Sequence, residues 1–447
     1  MLRDYLCCCY ESRRSDLDDV ADRDPVLLVS GIGGSILHSK RKNSRFETRV
    51  WVRILLADLE FKKNLWSIYN PETGYTEALD GSTEIIVPQD DYGLYAIDIL
   101  DPSWFVKLLH LSDVYHFHDM INMLVGCGYK KGMTLFGYGY DFRQSNRIDQ
   151  LIDDLKEKLE TAYKASGGRK VNIISHSMGG LLVSCFISLH SDIFSRYVNK
   201  WITIATPFQG APGCIHDSIL TGMQFVEGFE SFFFVSRWSM HQLLVECPSV
   251  YEMLPNPDFN WKKQPEIHVW RKHSKDEETS VELESYGRNE CVYLFEEALK
   301  NNELNYNGKT VALPFNFAIL KWAAGTRKLL NETKLPKGVS FYNIYGTSFD
   351  TPFDVCYGSK SSPIDDLSEI CHTLPDYSYV DGDGTVPSES ATADNFDAVE
   401  RVGVCASHRG LLKDKNVFQH IQNWLGVSTK AKMQDFKTSK VMDANLD

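Results

Sequence analysis

The sequence predicts an α/β protein: a mostly parallel sheet covered by helices on both faces and interrupted by inserted segments. Three observations carry that expectation. Short continuous apolar runs recur along the chain, helical repeats of apolar residues lie between them, and two long stretches break the alternation. Residues 1–24 are charged and aperiodic and read as a disordered tail ahead of the fold. The first buried strand is Pro25-Val-Leu-Leu-Val-Ser30, which Gly31, Gly33 and Gly34 turn into a tight loop. Residues 149–164 form an amphipathic helix. Residues 171–175 repeat the strand pattern and pass into a helix over 178–190, where Leu181, Leu182, Cys185, Phe186 and Leu189 recur at helical spacing. Residues 201–205 and 341–345 are further short apolar strands, and a terminal helix runs through Val417, Phe418, Ile421 and Trp424. The folded domain therefore spans 25–426, with a flexible tail over 427–447.

The interruptions are residues 38–100, expected to form a lid with membrane contact, and residues 207–338, expected to form a cap. The first holds Trp51, Ile54, Leu55, Leu56 and Trp66; the second holds Phe232, Phe233, Phe234, Val235 and Trp238. Such clusters serve either as ordinary cap core or as a lipid-facing surface, and both readings stand.

A chain of 447 residues accommodates one large enzymatic core with a smaller unit inserted into it or appended to it. Its 43% apolar and 24% charged residues match a soluble globular protein, and no run of about 18 apolar residues spans a bilayer. A net charge of −13 argues against nucleic acid as a partner, and makes any membrane contact an apolar one. The start of the chain lacks the apolar core of a secretory signal, and eleven cysteines without C-x-x-C spacing suit reduced thiols. Both features point to a cytosolic protein without a structural metal. The adjacent Cys7, Cys8 and Cys9 are either S-acylation sites or part of an unmodified tail.

The chemistry centres on Ser175-His176-Ser177-Met178-Gly179-Gly180, between a predicted strand and a predicted helix. This is a nucleophile elbow of the α/β-hydrolase type, in which small flanking residues let strand and helix backbones approach around a sharp turn. A serine hydroxyl is a weak nucleophile at neutral pH, so a histidine must take its proton and an acid must hold that histidine. In this fold the chain order is serine, acid, histidine. Val380-Asp381-Gly382-Asp383-Gly384-Thr385-Val386-Pro387 supplies two acids in a glycine-rich turn. Asp383 is the expected triad acid, and Asp381 a turn-stabilising neighbour. The histidine is His408, in a loop before the terminal helix; His420, on that helix, and His176, inside the elbow, are less well placed. The oxyanion donors are the backbone N–H groups of Met178 and of Ile32 in the 31–34 glycine loop. That loop is no dinucleotide fingerprint, because Ile36 occupies the place of the third glycine. No cofactor is called for.

These blocks, in this order and together with Tyr138-Gly-Tyr140-Asp141-Phe142-Arg143, resemble the lecithin:cholesterol acyltransferase-like family, particularly its plant phospholipase A1-type members. The resemblance covers about residues 25–426. It implies Ser177, Asp383 and His408 as triad, Ile32 and Met178 as oxyanion hole, and insertions that form a lid with membrane-binding elements. Ser30-Gly31, Phe142 and Ser175 stand where the family commonly has Pro-Gly, Trp and Gly, which sets the chain apart from the secreted members. Asp141 and Arg143 read as a buried structural ion pair. The function so implied is a phospholipase A1, cleaving the sn-1 ester of a phospholipid at a membrane surface through an acyl-serine. Its expected place is cytoplasmic and peripheral on internal, endoplasmic-reticulum or microsomal membranes, not secreted. Two alternatives remain: acyl transfer from phospholipid to a sterol or other alcohol, and a non-catalytic lipid-binding protein.

Overall fold

The computed structural model describes residues 23–55, 57–109, 112–222, 235–275 and 278–428. Cys7, Cys8, Cys9, Leu56, Phe232, Phe233, Phe234 and the tail from 429 lie outside the described residues. Six parallel strands form the central sheet: β1 (Val26–Val29), β2 (Leu135–Tyr138), β3 (Val171–His176), β4 (Val198–Ile204), β5 (Ser340–Gly346) and β6 (Ala398–Val404), in the order β6-β5-β4-β3-β1-β2. Strands β1, β3, β4 and β5 match the four apolar runs of the sequence, to within a few residues at their ends.

A strand buried on both faces reads as a nearly continuous apolar run, and β1 shows this directly. Leu27 and Val29 join one core, with Leu155 and Leu159 of helix Asp149–Ala165 and Leu181 and Phe186 of helix Gly179–Leu189. Val26 and Leu28 join the opposite core, with Met120 and Leu124 of helix His118–Gly126 and Val417 and Ile421 of helix Lys415–Leu425. The doubly covered parallel sheet therefore follows from the alternation read in the sequence. No helix among the described residues is long and apolar enough to cross a membrane.

A second, four-stranded sheet stands beside the first, in the order Glu278–Tyr286, Ile267–Lys275, Phe349–Tyr357, Pro375–Gly382. It joins chain from within residues 207–338 to chain that follows β5, and its last strand runs directly into Asp383. Within residues 38–100, strands Leu37–Arg41, Glu47–Trp51 and Thr83–Ile86 pair antiparallel. Here Trp51, Ile54 and Trp66 are buried while Leu55 is exposed; in the other insertion Val235 is buried and Trp238 half-buried. Asp141 and Arg143 form the two-pronged pair expected of them, Nε to Oδ1 at 2.9 Å and Nη2 to Oδ2 at 2.7 Å. The remaining guanidinium nitrogen donates to the Leu65 carbonyl, so each nitrogen of this buried group has an acceptor.

Candidate active site

Ligand sites of open parallel sheets gather outside the carboxyl ends of the strands, and this chain obeys that geometry. Ser177 follows β3, the 31–34 loop follows the neighbouring β1, and His408 follows β6 at the sheet edge. β6 and β3 are three strand spacings apart, about 14 Å, so the 405–408 segment must cross the ends of β5 and β4 to reach the serine. The acid loop supports it there: the His408 backbone N–H donates to the Asp383 carbonyl at 2.8 Å.

The three predicted residues form one hydrogen-bonded chain. His408 Nε2 lies 2.9 Å from Ser177 Oγ, and His408 Nδ1 lies 2.7 Å from Asp383 Oδ2. A neutral imidazole that donates through Nδ1 keeps Nε2 free to accept the serine proton. Asp383 Oδ1 accepts from the backbone N–H groups of Thr385, at 2.9 Å, and Val386, at 2.7 Å. The loop thus fixes one carboxylate oxygen and aims the other at His408. Asp381 is engaged elsewhere, accepting from Ser348 N–H at 2.6 Å and the Ser388 hydroxyl at 2.8 Å, as befits a residue that braces the turn. His420 lies away from the serine, its ring 5.5 Å from that of Trp424.

Ser177 sits at φ 54°, a left-handed conformation that costs a non-glycine residue about 1–2 kcal/mol. Close packing holds it there. A Cβ at Gly179 would lie 2.3 Å from the Ser30 carbonyl oxygen, and one at Gly31 would lie 2.7 Å from Ser177 Cβ. The small residues of the elbow and of the glycine loop thus let two backbones meet, which brings the loop that carries Ile32 against the nucleophile. Neither the Ile32 nor the Met178 backbone N–H has a protein acceptor among the described residues. Ser175, in the elbow's usual glycine position, is fully buried and accepts from Trp201 Nε1 at 2.9 Å, which gives its hydroxyl a structural task. Trp51, from the first insertion, donates through Nε1 to the Gly33 carbonyl at 2.8 Å and so ties the glycine loop to that insertion.

Two functional neighbours escaped the sequence reading. His176 donates from Nε2 to the His408 carbonyl at 3.1 Å, and its ring lies tilted, 4.8 Å from that of His408. Behind it lies His116, 5.5 Å from His176 and buried against Gly34. Burial holds both imidazoles well below the usual histidine range, helped by the nearby His408 and Arg409 charges, so both are neutral when His408 becomes a cation. The signal for His176 was its place beside Ser177 in the elbow; nothing local marks His116. His176→Phe keeps the ring but strips the His408 carbonyl of its donor, and kcat on a soluble ester should fall roughly tenfold, in line with one unmet buried acceptor. His176→Gln retains an N–H donor and should keep most of that rate.

Residues 46–405 match the family described as lecithin:cholesterol acyltransferase. The chain is 73% identical over 441 residues to Phospholipase A(1) LCAT3 of Arabidopsis thaliana, covering 98% of this chain and 99% of that one. It is 52% identical over 407 residues to Lecithin-cholesterol acyltransferase-like 4 of the same plant, covering 90% and 76%. Among solved structures, that of the Tle4-Tli4 complex superposes with a TM-score of 0.50 over 90% of this chain and 98% of the other, at 13% identity, a likeness of fold alone. With nearly full-length identity of this order, and a family match over residues 46–405 that includes the serine and the acid, the chain belongs to the lecithin:cholesterol acyltransferase family.

Proposed function

We propose that this protein is a phospholipase A1-type acyl hydrolase, which cleaves the sn-1 ester of a glycerophospholipid through an acyl-Ser177 intermediate. The observation that carries the reading is the Ser177–His408–Asp383 chain, at 2.9 and 2.7 Å, together with two backbone N–H groups that no protein acceptor claims among the described residues. Its near-full-length relationship to a protein named as a phospholipase A(1) supports the choice of substrate. Ser177 Oγ attacks the ester carbonyl as His408 Nε2 takes its proton, and Asp383 steadies the resulting imidazolium. The Ile32 and Met178 N–H groups hold the oxyanion; collapse expels the lysophospholipid alkoxide, which recovers the proton from His408. Water, deprotonated by the same imidazole, then releases the fatty acid. Transfer to an alcohol competes at that last step. Phosphatidylcholine carrying different labels at sn-1 and sn-2, supplied with and without a sterol, separates the outcomes. Free sn-1 fatty acid with sn-2-labelled lysophosphatidylcholine is expected; release of the sn-2 acyl chain, or sterol ester as the main product, overturns the reading.

The substrate resides in a bilayer, and the same proposal includes a contact with it. Arg49 and the Ile54 N–H both bond to Asp101, and Ile54 packs with Val106 and Val114, so the 49–59 segment is fastened to the 99–114 segment. Large apolar side chains stay outside on both: Leu55 and Leu59 on one, Trp104 (75% exposed), Leu108 and Leu109 on the other. Exposed apolar groups clustered this way favour a membrane surface. Since burying one such side chain is worth about 1.5–3 kcal/mol, Trp104→Ser with Leu108→Ser should lower partitioning onto phosphatidylcholine vesicles at least tenfold. Hydrolysis of a soluble short-chain ester should be unchanged; equal vesicle binding by the variant would place the contact elsewhere. The proposed cellular place is the cytoplasmic face of internal membranes, and recovery of the tagged protein in the secreted fraction would refute it.

A further inference from the structure

The two segments that carry the exposed apolar side chains enclose a small pocket of about 150 Å³, lined by Arg49, Arg53 and Leu55 from one and by Asp101 and Ser103 from the other. At roughly 30 Å³ for each water, that is room for a phosphate group but not for an acyl chain. Leu55, 61% exposed, is at once a wall of the pocket and a member of the apolar cluster, and Trp104 directly follows Ser103 in the chain. A surface that puts Leu55 and Trp104 into hydrocarbon therefore leaves this pocket among the lipid headgroups.

The charges of the pocket do not cancel. The buried Asp101 carboxylate accepts from Arg49 Nη2, at 2.5 Å, from the Ile54 N–H, at 3.0 Å, and from the N–H and hydroxyl of Ser103, so it is spent on Arg49 and its own turn. Arg53 is the second cation, half-buried and without an ion pair among the described residues. Its Nε donates to the Leu55 carbonyl at 2.8 Å and its Nη1 to the Arg49 carbonyl at 3.4 Å, which fixes the plane of the guanidinium. Nη2 has no protein partner and, unlike Arg49 Nε, it is not shut off from solvent. A guanidinium carries five N–H groups, so three of them remain for a ligand. Burial lowers Arg49 from the ordinary arginine value, and the Arg53 charge lowers it further against the pull of Asp101, as expected of two guanidiniums that share one carboxylate.

We propose that this pocket is a headgroup site, which takes the phosphate of a bilayer phospholipid on the spare N–H groups of Arg53 while Leu55 and Trp104 enter the acyl layer beside it. The occupant follows from the setting. At headgroup depth the anion that every phospholipid presents is its phosphate, and the planar guanidinium fork matches phosphate oxygens. The net charge of −13 does not oppose this contact, because a phosphatidylcholine surface is itself neutral overall. Ser177, Asp383 and His408 do not line the pocket, so the lipid held there is a surface ligand and not the substrate being cleaved. The inference rests on the membrane contact proposed above and adds a preference to it, for lipids that carry phosphate over lipids that do not.

The test is partitioning of the full chain, carrying Ser177→Ala so that no lipid is cleaved, onto vesicles of phosphatidylcholine and onto vesicles of digalactosyldiacylglycerol with the same acyl chains. Both surfaces are neutral overall and only the first has phosphate, so long-range attraction does not enter the comparison. Binding to phosphatidylcholine is expected to be about fivefold stronger, the upper end for an ion pair still partly in water. With Arg53→Gln added, both surfaces should bind alike, at the level of the galactolipid. Arg53→Lys keeps the charge without the fork and should retain a preference of roughly twofold. If Arg53→Gln weakens binding to both surfaces by the same factor, Arg53 is a brace of the 49–59 segment and the headgroup site is overturned. Equal binding of both surfaces before Arg53 is changed overturns the site while leaving the apolar contact in place; binding to neither refutes that contact, and the pocket with it. Tight binding of inorganic phosphate alone, read by calorimetry, would give the pocket to a free anion and overturn the lipid assignment.

Discussion

Replacing Ser177 by alanine should lower phospholipid hydrolysis by on the order of 10⁶-fold and abolish labelling by a fluorophosphonate probe, with little change in melting temperature. The size follows from the way a triad works: removing the nucleophile costs about as much as removing the whole unit, since histidine and acid have no other proton to move. The small structural cost follows from geometry. Alanine suffers the same left-handed strain that serine already bears at φ 54°, and the group lost is one hydroxyl bonded to His408. Turnover by Ser177→Ala within tenfold of the native rate, on a protein that still melts cooperatively, would remove the nucleophile from the proposed mechanism. Labelling that persists in the variant would point to another serine.

The same residues mark how far a sequence can be read. β1, β3, β4 and β5 were legible because strands buried on both faces are rich in apolar residues, even though Asn172, Thr203 and Asn343 are buried within them. β6 was not: Glu400 and Arg401 interrupt its valines, which an edge strand tolerates because part of it faces solvent. β2 was hidden by Gly137, which breaks its apolar run. The second sheet escaped for a different reason, since Ile267 pairs with Val355, nearly ninety positions away, and no local pattern encodes so distant a partner. The site divides along the same line. Ser177, Asp383 and His408 announce themselves because each needs a particular turn chemistry next to it. His116 and the Trp51 bond to Gly33 exist only once the chain has folded. The large apolar residues of the first insertion show the ambiguity of composition: Trp51 and Trp66 became core, while Leu55 and Leu59 stayed outside.

The acid is the second large effect, and it discriminates between two carboxylates two residues apart. Asp383→Asn should lower kcat by about 10⁴-fold, whereas Asp381→Asn should lower it by no more than a few-fold. At position 383 the amide oxygen is claimed by the N–H groups of Thr385 and Val386, which require an acceptor. The amide nitrogen must then face His408 Nδ1, and an N–H donor there forces the imidazole into the tautomer that carries its proton on Nε2. That nitrogen can no longer receive the Ser177 proton, so the fold survives while the base is lost. At position 381 the partners are the Ser348 N–H and the Ser388 hydroxyl, and an asparagine still offers an oxygen to the first and an amide to a hydroxyl that can reverse its role. The cost there is about 1 kcal/mol of turn stability, with the triad untouched. Steady-state kinetics on a soluble ester, with melting curves for both variants, decide the point: a large loss at 381 and a small one at 383 would make Asp381 the acid and detach Asp383 from the chemistry.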